Sequence, residues 1–158
     1  MNKRALIEQI IISLQSELKT YMRAAKSSHE EATADENRSE NKYDTRGLEA
    51  SYLAAGQANK VAELEASIGA YKSLKVEVQD NASIEVGALV ELDHAGEKMF
   101  YFVGPSAGGT EVIEDGHEVL VITPQSPLGY QLQGRRLGEH LNLALNGASQ
   151  EIKITNFC

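Results

Sequence analysis

The N-terminal third of the chain carries a regular apolar stripe, which restricts the possible folds more than any other feature of the sequence. Apolar or small residues recur there at alternating steps of four and three. This spacing is the heptad pattern of a helix that packs along one seam, since a half-buried strand would alternate every second residue. The pattern therefore predicts one long amphipathic helix. The positions are Ile7, Ile11, Leu14, Leu18, Tyr21, Ala25, Ser28 and Ala32.

A second stretch at helical spacing follows a polar segment rich in carboxylates. Two such helices joined by a short segment bury their stripes most simply as an antiparallel hairpin. Because the residue numbers of antiparallel partners have a constant sum, setting Ile11 opposite Ile68 puts the turn close to Glu40. The sequence predicts an antiparallel coiled-coil hairpin over residues 1–76, with an acidic tip near 35–46. The second stripe is Leu48, Tyr52, Ala55, Val61, Leu64, Ile68 and Tyr71.

The pattern changes in the C-terminal half, which we predict to be a β-rich domain over residues 77–158. Short runs rich in Val, Ile, Phe and Tyr, among them "SIEVGALVEL" and "HEVLVIT", are separated by Gly, Pro and Asp turns. Next comes a short helix, with Ser126 as its N-cap and Pro127 as its first residue. The strand "LNLAL", an Asn-Gly turn and the strand "QEIKITNF" close the domain. The predicted fold class is α+β.

Charge is distributed unevenly along the chain and restricts the kinds of partner. Residues 76–158 carry twelve acidic and four basic side chains and so account for the whole net charge of −8. Such a domain repels a phosphate backbone, so a protein partner is expected rather than duplex nucleic acid. No stretch predicts a signal peptide or a membrane span, and the single cysteine, Cys158, cannot form an intrachain disulfide. We expect a cytoplasmic protein that binds no membrane.

Two motifs resemble the bacterial Gre family of transcript-cleavage factors. The first is "VITPQSPLGYQLQGRRLGE", in which a strand is followed by Ser-Pro-hydrophobic and a short helix that ends at a glycine. The second is "ASYLAA", similar to the start of the second helix in the family. The resemblance covers nearly the whole chain and implies an N-terminal antiparallel coiled coil followed by an FKBP-like C-terminal domain. The matching positions of the first motif are Ser126, Pro127, Leu128, Leu132, Gly134 and Gly138.

The resemblance also implies a function. Gre-type factors bind RNA polymerase, insert the hairpin tip into its secondary channel and stimulate the polymerase's own cleavage of backtracked RNA. The chain would then be an accessory factor rather than an enzyme. It would be monomeric, would bind no cofactor alone, and would meet nascent RNA only within the polymerase complex. Carboxylates at the tip would help to hold Mg²⁺ in the polymerase active site, because Mg²⁺ prefers oxygen ligands.

The site residues that the resemblance implies fall into two groups. The tip carboxylates Glu40, Asp44, Glu36 and Asp35 are the candidate catalytic groups, with Glu40 and Asp44 as the Mg²⁺ ligands. The candidate partner-binding residues are Asn41, Tyr43, Arg46, Ser126, Pro127, Leu128 and Arg135.

Two alignments of the tip with the family motif compete. In one, Glu40 and Asn41 occupy the Glu-Asn positions of the motif. In the other, which starts from Tyr52, those positions fall on Leu48 and Glu49, and the essential carboxylate is lost. The constant-sum pairing favours Glu40 at the tip, so we prefer the first alignment.

Three alternatives to a cleavage factor remain open at the level of sequence. The chain could be a Gre-like polymerase regulator without cleavage activity, since neither alignment reproduces the full motif. It could be a coiled-coil adaptor, which would form oligomers in a concentration-dependent way. A prolyl isomerase is a third alternative because FKBP folds are known for that activity, although the chain has no Trp and only three Phe.

Overall fold

Two long helices begin the chain in a computed structural model of the protein. Helix α1 spans Lys3–Thr33 and helix α2 spans Arg46–Ser73, with lengths of 31 and 28 residues. Both helices were predicted from the apolar stripes. The residues that the structure describes are 1–33, 46–75, 83–145 and 148–158.

Some sequence predictions fall outside this description. The tip carboxylates lie in residues 34–45, and the predicted domain boundary between 76 and 77 lies in residues 76–82. The same holds for the Asn-Gly turn at residues 146–147. The side chains of Ser28, Ala32 and Leu48, which were predicted to lie on the stripes, are also outside it. These predictions stay predictions.

The described residues of the C-terminal part form a six-stranded sheet and one short helix. The sheet order is β3-β4-β2-β1-β6-β5, in which β2 and β4 are parallel and all other neighbours are antiparallel. A helical N-terminal part and a C-terminal sheet confirm the predicted α+β class. The elements are β1 Leu89–His94, β2 Glu97–Val103, β3 Glu111–Glu114, β4 His117–Ile122, α3 Pro127–Leu132, β5 His140–Leu145 and β6 Ala148–Phe157.

The first strand of the sheet is shorter than the run "SIEVGALVEL" suggests. It begins at Leu89, and Ile84 near the start of the run forms its backbone hydrogen bonds outside the sheet. The amide of Ile84 donates to the carbonyl of Arg135 at 2.8 Å, and the amide of Gly134 donates to the carbonyl of Ile84 at 2.8 Å. The start of the run therefore holds the segment after α3 in place instead of extending the strand.

The main hydrophobic core lies on one face of the sheet, where α3 contributes the fully buried side chain of Leu132. Alternate strand residues such as Val90 and Leu92 point into this core, as the two-residue period of a strand requires. Full burial of a Leu or Ile side chain contributes about 1.5–3 kcal/mol to stability, so this layer fixes α3 against the sheet.

The chain divides into two compact units. One unit contains Met1–Ser13 and Gly69–Cys158, and the other contains Leu14–Ile68. The first turns of α1 therefore belong to the unit that contains the sheet. There the predicted seam residue Ile7 is buried and Ile11 is half-buried. Leu6 and Ile10, which the heptad stripe does not include, are fully buried as well. Residues of this unit cover a second side of the helix, which a single stripe does not predict.

In the second unit, the two helices contact each other through Lys60 of α2. Its ammonium group lies 3.8 Å from Glu17 Oε1 and 5.8 Å from the centre of the Tyr21 ring. These two residues flank Leu18, which the sequence pairing set near Val61, the neighbour of Lys60. Both contacts join α1 to α2 within this unit.

The exposed residues of α2 differ from the prediction towards its N-terminal end. Tyr52 was predicted to lie on the stripe, but 72% of its surface is exposed, and Ala55 is also exposed. Counting back from Val61 in heptad steps leads instead to the half-buried positions Gln57 and Ala54. The stripe passes through a polar glutamine, which a search for apolar residues does not find.

Candidate functional site

The turn between β4 and α3 is held by the side chain of Ser126. Its backbone is extended (φ −70°, ψ 152°), and its hydroxyl oxygen accepts a hydrogen bond from the Gly129 amide at 3.1 Å. The same hydroxyl donates to the carbonyl of Thr123 at 2.7 Å. Pro127 is the first residue of the helix. The predicted N-cap and helix start are confirmed, and such a cap contributes about 1 kcal/mol.

The structure explains why three positions of this motif are occupied by glycine. A β-carbon on Gly129 would overlap the carbonyl oxygen of Thr123, so the helix lies closer to the preceding loop than any side chain would allow. Gly134 and Gly138 have φ of +77° and +83°, which is the left-handed region that favours glycine. The amide of Gly138 also donates to the carbonyl of Ile154 in β6 at 2.9 Å. Close packing at Gly129 and the hydrogen bond of Gly138 therefore fix both the start and the end of this motif.

The residues of this motif that solvent can reach include both apolar and basic side chains. Tyr130 is 77% exposed and Leu137 is 62% exposed. Arg135 lies between them in sequence, where its Nε donates to the carbonyl of Gln131 at 3.2 Å. We refer to Pro127, Tyr130, Arg135, Arg136 and Leu137 as the α3 surface. Tyr and Arg are enriched in the energetic centres of protein interfaces, so this surface has a composition suited to a protein partner.

The structure shows the surroundings of the predicted partner-binding residues of this region. The Arg135 guanidinium pairs with Glu139, with Nη1 and Oε2 3.5 Å apart. Pro127 is exposed, whereas Leu128 is half-buried and packs against the core. The Ser126 hydroxyl is used by the cap. The roles of these four residues in partner binding stay predictions. Sequence reasoning missed the exposed side chains of Tyr130 in α3 and of Leu137 after it, although both are large and lie within the quoted motif.

The predicted tip residues all lie in residues 34–45, except Arg46. This applies to the carboxylates Asp35, Glu36, Glu40 and Asp44 and to the contact residues Asn41 and Tyr43. Arg46 is the first residue of α2, but its side chain is outside the description. In the part of the chain that is described, no group of three His, Cys, Asp or Glu side chains could hold a metal ion. No described helix has the length and apolarity to cross a bilayer.

Two carboxylates of the sheet-containing unit have specific partners. Glu114, which is 6% exposed, accepts a hydrogen bond from Gln9 Nε2 of α1 at 2.8 Å. The Lys98 ammonium lies 3.0 Å from Glu91 Oε1, and hydrogen bonding to it lowers the pKa of the Glu91 carboxyl below its ordinary value. Thr155 Oγ1 also donates to Glu91 Oε1, at 2.9 Å. Sequence reasoning found neither site, because the partners are far apart in the chain.

Comparisons with known proteins give matches among solved structures. Neither a protein-family model nor a curated protein sequence matches the chain. The chain is similar to the crystal structure of GreA factor homolog 1 (Gfh1) from Thermus thermophilus, with 22% identity, 94% of each chain covered and a TM-score of 0.40. Gfh1 from Thermus aquaticus is 23% identical, with 92% of this chain and 91% of that chain covered and a TM-score of 0.41.

A further match is the transcription elongation factor GreA/GreB from Nitrosomonas europaea. It is 16% identical, with 65% of this chain and 78% of that chain covered and a TM-score of 0.39. These proteins are Gre factors or homologs of one, which is the family that the sequence resembles.

Proposed function

We propose that the chain is a Gre-type transcription factor that binds RNA polymerase and regulates elongation. In this proposal it is an accessory factor, because the cleavage chemistry belongs to the polymerase. The observation that carries the proposal is the arrangement of α1 and α2. These are two long helices in contact, and the segment that joins them, residues 34–45, contains four carboxylates among twelve residues.

The contacts of Lys60 support an antiparallel coiled-coil hairpin. They lie on both sides of Leu18, as the constant-sum pairing requires. At about 1.5 Å per residue, α1 extends on the order of 45 Å. A hairpin of this length would carry residues 34–45 into a narrow opening such as the secondary channel of the polymerase. The mixed sheet with one short helix supports an FKBP-like description of the C-terminal part.

In this proposal, the hairpin acts through the carboxylates of its tip. Mg²⁺ in the polymerase active site supplies the activation of water that phosphodiester cleavage needs. The part of this chain is to bring carboxylate oxygens to that site, with Glu40 and Asp44 as the first candidates and Glu36 and Asp35 beside them. Asn41, Tyr43 and Arg46 would contact the polymerase or the RNA.

Docking on the polymerase is assigned to the α3 surface. The Ser126 cap and the close approach at Gly129 hold the helix in one position, so its exposed side chains are preorganised for binding. Tyr130 offers a large apolar contact, and Arg135 and Arg136 offer the only adjacent pair of basic residues in the acidic half of the chain. A partner surface with apolar and acidic groups would complement them.

A cleavage assay tests this proposal. Backtracked complexes made with polymerase from the same source would be incubated with Mg²⁺ and the protein, and shortening of the RNA 3′ end would be followed. Glu40→Ala should abolish the stimulated shortening. Glu65→Ala removes an exposed carboxylate from the middle of α2 and should leave the stimulation intact. Binding without cleavage would support a regulator that lacks the cleavage function, whereas absence of binding would overturn the proposal.

A coiled-coil adaptor remains the second candidate because the helical unit exposes large apolar side chains. Met22, Tyr52 and Leu53 are 51%, 72% and 55% exposed. In an adaptor these residues would pair with another hairpin. Sedimentation velocity over a wide concentration range separates the two candidates, since the polymerase factor should stay monomeric and the adaptor should associate.

A further inference from the structure

A cavity of about 310 Å³ opens on the sheet face opposite the main core. Alternate residues of neighbouring strands point to this side, as the two-residue period of a strand requires. Leu89 and Glu91 come from β1, Lys98 and Phe100 from β2, and His117 from the start of β4. We refer to this space as the sheet-face cavity. Its volume is sufficient for a small organic ligand.

The Glu91 carboxylate is a largely shielded charged group in the cavity wall. Its side chain is 18% exposed, compared with 59% for Lys98. Both Lys98 and Thr155 bind the same oxygen, Oε1, at 3.0 and 2.9 Å. Glu91 is therefore a carboxylate whose orientation is fixed by Lys98 and Thr155.

Aromatic rings form another part of the wall. The Phe100 and His117 rings pack with their centres 4.7 Å apart. A cation near the face of an aromatic ring is attracted by the electrons of the ring, and alkyl groups pack well against the same surface. A carboxylate beside an aromatic wall suits an organic cation whose charge is attached to an apolar chain.

The rim carries a second carboxylate, that of Asp115. Asp115 Oδ2 lies 3.1 Å from the α-amino group of Met1, and the Asp115 side chain is 61% exposed. The net charge of the domain also favours a cationic ligand, because residues 76–158 account for the net charge of −8. This charge attracts cations and repels phosphate or carboxylate ligands.

We propose that the sheet-face cavity binds an aliphatic diamine or polyamine. One ammonium group pairs with Glu91, the methylene chain lies along Phe100, and a second ammonium group is directed towards Asp115 at the rim. This inference goes beyond the proposed function and does not depend on it, since all the residues involved belong to the sheet-containing unit.

Calorimetric titration of the full chain with putrescine tests the inference. At constant ionic strength, one saturable site is expected, with n-butylamine binding more weakly and uncharged 1,4-butanediol giving no heat of binding. Glu91→Gln should weaken putrescine binding by about ten-fold or more, as expected when one partly shielded ion pair is lost. Glu151→Gln changes the net charge equally at an exposed position outside the cavity and should leave the affinity unchanged.

Amide chemical shifts locate the binding independently of any variant. Putrescine should move the signals of Glu91, Lys98, Phe100 and His117 most strongly, and Phe100→Leu should weaken binding while it leaves the unfolding transition cooperative. Equal weakening by Glu91→Gln and Glu151→Gln would indicate diffuse attraction and would overturn the inference. Absence of saturable binding, or shift changes centred elsewhere, would overturn it too.

Discussion

The phenolic oxygen of Tyr71 donates a hydrogen bond to the backbone carbonyl of Ser106 at 2.8 Å. Tyr71 lies near the end of α2 and is 1% exposed, and its burial raises the pKa of its hydroxyl above the ordinary value. Its ring packs 6.3 Å from that of Phe102 in β2. This hydrogen bond therefore ties the last turn of α2 to the loop that follows β2, inside one compact unit.

Removal of this hydroxyl should destabilise the protein. Tyr71→Phe keeps the ring contact with Phe102 but leaves the Ser106 carbonyl without its donor, so we expect a loss of about 1 kcal/mol in the free energy of unfolding. Urea unfolding followed by circular dichroism measures the difference. Tyr130→Phe removes a hydroxyl from a side chain that is 77% exposed and should change stability by less than about 0.5 kcal/mol. Equal effects of the two variants would contradict the role of the Tyr71 hydrogen bond.

Alanine at two helical glycines should have opposite effects. In Gly129→Ala the new methyl group would overlap the Thr123 carbonyl, so a loss of about 1–3 kcal/mol or more is expected. In Gly69→Ala the methyl group would meet no atom within 4 Å, and the better helix propensity of alanine should add up to about 1 kcal/mol. Thermal and urea unfolding of both variants check the signs. A stable Gly129→Ala protein would show that α3 is not held as closely as described.

Stability should depend on pH through Glu91. Because the folded protein lowers the pKa of this carboxyl, the folded state is favoured while Glu91 is ionised. This contribution is fully present above the ordinary value of 4.5 and is lost as the pH falls through the lower pKa of the folded state. Glu91→Gln should therefore lower the free energy of unfolding at pH 6, and the difference from the wild type should shrink as the pH falls below 4.5.

Urea unfolding from pH 6 to pH 3 measures this difference, with Glu151→Gln as a control for the loss of one exposed carboxylate. A wild-type advantage over Glu91→Gln that stays constant over the whole range would mean that Glu91 is not the titrating group.

The α3 surface should be needed for polymerase binding but not for folding. Tyr130→Ala removes an exposed ring, so we expect little change in the unfolding transition and a loss of affinity of about ten-fold or more if this ring is an interface centre. Tyr101→Ala is not a suitable control because that ring is packed against the core. Ile113→Ala changes a side chain that is 66% exposed on edge strand β3 and should leave polymerase binding intact.

Sequence patterns predicted the elements of this protein well where a single periodicity governs a segment. The heptad stripe gave α1 and α2, and the Ser-Pro pair gave the start of α3 because capping is a local interaction. The stripe was less accurate at Leu6 and Ile10, where residues of the sheet-containing unit cover a second side of α1. It was also less accurate near Tyr52, where polar Gln57 takes the seam position.

Contacts between distant segments were beyond the reach of sequence reasoning. Glu91 and Thr155 are 64 residues apart, and Tyr71 and Ser106 are 35 residues apart. No local pattern links such pairs, since they meet only when the sheet and the helices have formed. The sheet-face cavity depends on the same tertiary arrangement. For the tip the sequence remains the only guide, because residues 34–45 are outside the described structure.

The most direct measurement of the central claim is a competition experiment with RNA polymerase. The single exposed thiol of Cys158 allows a fluorescent label at one position, and core polymerase from the same source would be titrated against the labelled protein. We predict a saturable rise in anisotropy that unlabelled protein and an authentic Gre factor both reverse, since both would occupy the secondary channel. No binding, or binding that the Gre factor fails to displace at saturating concentration, would contradict the account.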